Sequence, residues 1–229
     1  MSPIPVPPVL AVDRAAELLV VGRVPGTSLL DEACPDPAAL VDQLADFLSA
    51  LCGVGGDQLT GIDVDRYPLA DYRAQLADAL PTIAPALTDA QLTDTEAFVA
   101  AEPPAEPAEP AGLRFCHADL GVEHLFAGPD RRTLTGVIDW SDAAVTDPAR
   151  DLGRLLRDLG AAPAGAILAR LALPDRDAVW RRAIWYARAT LLEDLAVGVA
   201  TGDRRYLDAA RGRFAHTFGV LDRADRSGM

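Results

Sequence analysis

The chain predicts an α+β fold in which helices outweigh strands. Short apolar runs of strand length stand at 8–12 and 16–22, and again at 113–116, 123–127 and 133–138. Apolar residues at helical spacing fill 36–52, 68–80 and 88–100. Beyond Asp147 the pattern is helical to the end.

The elements follow in order. The first two strands are joined by a polar turn, and Pro25 and Gly26 then break the pattern. In 36–52, Leu40, Leu44, Phe47, Leu48 and Leu51 share one helix face, with Asp36 as N-cap and Pro37 at the first helical position. "GVGG", 53–56, lacks the lysine and threonine of a phosphate loop and reads as the end of that helix. "AEPPAEPAEPA", 101–111, is proline-rich and is expected to be an extended, solvated connector. In 176–200, Val179, Trp180, Ile184, Ala187, Leu191, Leu195 and Val199 predict one apolar face.

Composition narrows the function. The 229 residues are half hydrophobic, enough for a packed core. No run suits a membrane span. "MSPIPVPPVLAVD" has no basic n-region, which argues against a signal peptide. Cys34, Cys52 and Cys116 are odd in number and scattered among apolar residues, as reduced core thiols would be. A cytoplasmic protein is expected. The net charge of −13 disfavours nucleic acid and anionic membrane as partners and suits a cationic small molecule. All 21 basic residues are arginine.

Two stretches carry chemistry. In "HADLGVEHLF", 117–126, two histidines flank an aspartate in a loop between two strands. Cys116, His117, Asp119 and His124 are all conceivable metal ligands. Neighbours on a strand point to opposite faces, however, and paired zinc-ligand spacing is missing. In "VIDWSDAAVTDPARDL", 137–152, an apolar strand delivers Asp139 to its end, and Asp147-Pro148 opens a helix with Asp151 one turn inside. Asp147 and Asp151 are read as helix-capping residues. Asp119 and Asp139 thus stand at the ends of neighbouring strands. Two such carboxylates can divide phosphoryl transfer: one deprotonates the attacking hydroxyl and the other holds the magnesium that bridges the nucleotide phosphates.

With "HADLGVEH" and "IDWSDAAVTDPARDL" in this order, the chain resembles the aminoglycoside phosphotransferase and choline kinase-like enzymes, relatives of protein kinases. The resemblance extends weakly back to "LLVVGRVPGTSL" and forward into the C-terminal helices. It implies a protein-kinase-like fold: a mainly helical C-lobe, 26–229, with small catalytic-loop strands, and a remnant of the N-lobe sheet and hinge in 1–25. It implies a phosphotransferase moving the γ-phosphate of ATP or GTP to a hydroxyl. Asp119 would be the catalytic base and His117 a brace of its loop. Asp139 would be the main Mg2+ ligand, with His124 in the position usually held by asparagine. Backbone groups around Gly22 and Val24 would meet the nucleotide base. The acceptor would be an aminoglycoside, a macrolide, another antibiotic or a metabolite. Glu123, Asp142, Glu193 and Asp194 are candidates to attract its positive charge. Trp180, Trp185 and Tyr186 read as helix packing before ligand stacking.

The chain departs from the family in one large respect. Only 21 residues precede Gly22, with no glycine-rich loop, and the chain has no lysine at all. This sets up the expectation of a truncated N-terminal lobe with apolar strand surface left exposed. Two alternative functions follow. One is a degenerate kinase-like protein that binds a ligand without catalysis. The other is a metal-dependent hydrolase using His117, Asp119 and His124.

Overall fold

The computed structural model describes residues 2–220. Strands β1 (Val9–Asp13) and β2 (Leu18–Val21) form an antiparallel hairpin. Its turn is set by Asp13, whose Oδ1 accepts from the backbone of Ala15 and Ala16. Every hairpin residue is exposed, including Val9, Leu10, Val12, Leu18, Leu19, Val20 and Val21. A two-stranded ribbon has no core of its own. This one is tethered at its base, where Gly22 N donates to Pro8 O and Val137 N to Pro5 O.

Short strand β3 (Thr27–Ser28) then pairs with β5 (Leu125–Ala127), which pairs with β6 (Leu134–Val137). Strand β4 (Arg114–Cys116) pairs with β7 (Ala144–Thr146). These two small sheets present the 117–124 and 138–143 loops side by side. Ile138 N donates to His124 O and so stitches the loops together.

The helices supply the core. A 3-10 turn over Pro37–Leu40 leads into α1 (Val41–Cys52), which buries Leu44, Phe47, Leu48 and Leu51. Asp36 makes no side-chain capping bond there, contrary to expectation, because a 3-10 turn intervenes before the α-helix starts. Helix α2 (Leu69–Ile83) runs through Pro81, past the 68–80 span expected from the sequence. A proline in the last turn disrupts few bonds, and that turn buries Ile83. Helix α3 (Asp89–Ala100) opens on a capping box between Thr88 and Gln91. The 101–111 segment is extended, as expected, but tacked down: Glu106 accepts from Leu69 N at 2.7 Å and Glu109 pairs with Arg66 at 2.8 Å.

Helices α4 (Ala149–Leu159), α5 (Ala161–Arg170), α6 (Arg176–Thr201) and α7 (Arg204–Phe214) complete the body, with a π-helical segment over Ala215–Val220. The one-faced pattern expected for α6 is corrected. Val179, Ala187, Leu191 and Leu195 are buried, but so are Ala183, Trp185, Tyr186, Thr190, Leu192 and Asp194. The helix is central, packed by α2, α4 and α7 around its girth. Trp185 and Tyr186 accordingly serve the core, with Tyr72 edge-on to Trp185 at 5.3 Å. No helix of the described residues is long and apolar enough to cross a membrane.

Candidate active site

The 117–124 loop is built on strain and on hydrogen bonds. Ala118 sits at φ 66° and Asp139 at φ 59°, left-handed conformations that L-residues adopt at a cost. His117 is fully buried and fixes the loop. Its Nδ1 accepts from Asp119 N at 3.3 Å, so Nε2 carries the proton and donates to Ile138 O at 2.9 Å. Trp140 packs edge-on against its ring at 4.7 Å. His117 thus joins the Asp119 loop to the Asp139 loop, in keeping with a bracing role.

Both carboxylate oxygens of Asp119 are held. Arg154 Nε lies 2.5 Å from Oδ1, and His124 Nε2 lies 3.1 Å from Oδ2. Burial alone would raise this carboxyl's pKa, but the His124 hydrogen bond and the Arg154 charge outweigh it and hold the group well below the usual carboxylate range. For His124 the opposition runs the other way. Burial would lower its pKa, and the bond to Asp119 raises it instead.

Helix α4 supports this loop at three points one or two turns apart. Asp151 Oδ2 accepts from His117 N at 3.0 Å, Arg154 holds Asp119, and Asp158 Oδ2 accepts from Val122 N at 2.9 Å. Residues 151, 154 and 158 lie on one helix face. The capping role read for Asp151 is therefore corrected: the residue carries the backbone of the 117–124 loop. Asp147 does cap, accepting from Ala149 N at 3.0 Å, and it also forms a buried pair with Arg182 at 2.6 Å.

Behind the loop lies a buried ionic cluster. Arg157, 1% exposed, meets Asp158 at 2.7 Å, Asp194 at 2.9 Å and Glu123 at 3.5 Å, and Arg213 reaches Asp158 at 3.1 Å. Burial pushes the Asp194 carboxyl up to about 7, because Arg157 is shared among three carboxylates and two of them face Asp194. A raised carboxyl contributes stability below the ordinary carboxylate range and loses it as pH rises through about 7. Asp194→Asn is therefore expected to flatten the dependence of unfolding free energy on pH between the ordinary carboxylate range and about 7. Urea titrations of both proteins across that window check this, and an unchanged slope would contradict it.

Two cavities lie at residues that contact the loop or its neighbour, one at Asp139 and one at Arg154. One is an apolar cleft of about 600 Å³ between the hairpin and the body, lined by Val9, Leu19, Val21, Phe115, Trp140 and Asp139 among others. Val24 is buried, beside Gly136, and the Gly22 N–H is already taken by Pro8 O. The other is a polar cavity of about 340 Å³ lined by Asp63, Asp65, Asp142, Glu193, Tyr72, Arg150 and Arg154 among others. Of the four acids singled out in the sequence, Asp142 and Glu193 line this cavity. Asp194 and Glu123 turn instead to Arg157.

Donor atoms of Asp119, Glu123 and His124 come within 4.8 Å of one another. His124 Nδ1 is buried and unpartnered. Two hard carboxylates with an imidazole suit a divalent ion. Asp139 is not in this group, and its Oδ1 accepts from Ser141 Oγ at 2.7 Å. Glu123 as a donor and Arg154 and Asp158 as loop supports were missed in the sequence. The three cysteines are free, and burial pushes the Cys52 thiol up to about 12, which leaves it inert.

Known proteins share both sequence and fold with this chain. The family model described as "Phosphotransferase enzyme family" matches residues 1–186. Viomycin phosphotransferase of Streptomyces vinaceus is 27% identical over 158 residues, 66% of this chain and 53% of that protein. N-acetylmuramate/N-acetylglucosamine kinase of Caulobacter vibrioides is 34% identical over 167 residues, 66% of this chain and 45% of that protein. The chain spans about half the length of these curated relatives. Among solved structures, the GDP and kanamycin complex of APH(2")-IIia superposes with a TM-score of 0.64 at 23% identity, over 94% of this chain and 76% of that one. Macrolide 2'-phosphotransferase MphH from Brachybacterium faecium gives 0.56 at 21% identity, over 93% and 74%. The shared fold is the protein-kinase-like one.

Proposed function

The chain belongs to the phosphotransferase enzyme family, and on that premise we propose that it transfers the γ-phosphate of ATP or GTP to a hydroxyl of a small molecule. The observation that carries this is that the Asp119 and Asp139 loops are stitched together, with Asp139 lining an apolar cleft and Arg154, the ion-pair partner of Asp119, lining an acidic cavity. The apolar cleft, with Asp139 in its wall, suits a nucleotide base and delivers phosphates toward the loop. The acidic cavity, with Arg154 in its wall, suits an acceptor bearing amines or many hydroxyls. Asp119 is the base that receives the hydroxyl proton, and His117 holds its loop. The hinge at Gly22 and Val24 meets the base edge, through the Gly22 carbonyl since its N–H is occupied. Asp139, from the cleft wall, and His124, from the neighbouring loop, would hold magnesium. When bound, the metal supplies neutralising charge to the nucleotide phosphates. We read 1–25 as the hinge portion and 26–229 as the substrate-bearing lobe.

The test is label transfer from γ-labelled ATP or GTP, with magnesium, to a panel of aminoglycosides, macrolides, a cyclic peptide antibiotic and amino sugars. The expected result is a phosphorylated acceptor from at least one class. Nucleotide binding with no label in any acceptor would favour the second reading, a ligand-binding protein without catalysis. The lysine-free sequence is the observation that favours that alternative.

A further inference from the structure

Arg154 is set apart from the other buried arginines. Arg157 neutralises a cluster of carboxylates behind the loop, and Arg182 is locked to Asp147. Arg154 makes one ion pair, through Nε to Asp119 Oδ1, and it also lines the acidic cavity. Its side chain is 12% exposed and belongs to the helix turn whose Asp151 carries the His117 backbone.

A carboxylate turns on a soft terminal torsion. Held by one oxygen, it swings; held by both, its plane is fixed. His124 on Oδ2 alone would leave Asp119 free to rotate, and the guanidinium on Oδ1 removes that freedom. We propose that Arg154, which lines the acidic cavity, is a positioning residue for Asp119, fixing the plane of the carboxylate so that its unused lone pairs are held toward the acceptor hydroxyl. The inference rests on Asp119 being the base. Arginine is required rather than any cation, because Nε belongs to a planar fork while an ammonium is a point charge on a flexible stem.

Two measurements separate this inference from the reading it rests on. The first needs no turnover. Crystal structures of Arg154→Met and Arg154→Gln should show the Asp119 carboxylate rotated or in alternate orientations, with the His117 bond to Ile138 intact. An unmoved carboxylate in a folded variant overturns the proposal whether or not the protein is an enzyme. The second is kinetic. Arg154→Met should lower kcat on the order of 100-fold, the scale of a misplaced catalytic group, with KM for nucleotide unchanged. Arg154→Lys should recover little of this, and added guanidinium should restore Arg154→Ala. A raised KM at normal kcat, or full rescue by lysine, would overturn the positioning role. Absence of transfer in the wild-type chain would count against the enzymatic reading alone, and the structural arm would still decide the fate of Arg154.

Discussion

Asp119→Asn is expected to abolish measurable phosphoryl transfer while leaving the fold in place. Asparagine has the shape of aspartate, and its carbonyl oxygen can lie beside Arg154 Nε, which now sits 2.5 Å from Oδ1. It cannot take a proton from a hydroxyl at neutral pH. Loss of a general base costs on the order of 100- to 10,000-fold in rate. The check is turnover under saturating nucleotide and acceptor, alongside the circular dichroism spectrum and urea unfolding of the variant. Wild-type turnover by a folded Asp119→Asn protein would remove Asp119 from the role. The ionised, doubly held carboxylate has a consequence for pH. A carboxyl lowered by its partners contributes stability above the ordinary carboxylate range and loses it as pH falls toward its depressed value. Part of the acid sensitivity of the protein therefore belongs to this site, and Asp119→Asn should remove that part.

Arg157→Met is expected to be the most destabilising single change in the chain's interior. Arg157 is nearly inaccessible and touches Asp158, Asp194 and Glu123. It also donates to Thr190 O at 3.4 Å, and its own carbonyl receives His216 Nε2 at 2.8 Å. Methionine fills much of the volume but leaves the carboxylates facing one another. Breaking a buried pair by removing one partner costs about 3–5 kcal/mol. For a domain of this size that corresponds to a fall in Tm of roughly 10 °C. The effect should reach the catalytic loop, because Asp158 is also the acceptor for Val122 N. Thermal and urea unfolding measure the first effect, and hydrogen exchange at the Val122 amide measures the second. A loss below about 1 kcal/mol, within the range of exposed pairs, would show that the cluster is not a structural hub.

The parts of this site that lie close together in sequence could be read without a structure. The spacing of His117, Asp119 and His124 and the Ile138-Asp139-Trp140 triplet identified both loops and the family. Strands β4, β5 and β6 showed as apolar runs within a residue or two of their observed ends, whereas β7, which closes the 138–143 loop, did not show as a strand. What stayed hidden depends on contacts between distant segments. Strand β3 is a Thr-Ser dipeptide that pairs only because β5 offers an edge. Asp151 has the sequence context of a first-turn acid on α4, and nothing local reveals that its partner is the His117 amide, 34 residues earlier. In "DLGRLLRDL", Arg154, Arg157 and Asp158 look like an ordinary solvated helix face. They are buried because α4 packs against α6 and underlies the loop, so the charges that a surface helix would give to water go to the active site. The absence of a single clear stripe on α6 has the same origin. A helix covered on several sides must be apolar on several sides, and periodicity then loses its meaning.

The cleft beside Asp139 and Trp140 is expected to bind a magnesium–nucleotide complex. Calorimetric titration of the 229-residue chain with ATP and with GTP, each with and without magnesium, tests it most directly. The account predicts magnesium-dependent binding of at least one nucleotide in the micromolar to low-millimolar range, lost in a folded Asp139→Ala variant. No binding of either nucleotide by the folded chain, or equal binding by Asp139→Ala, would contradict it.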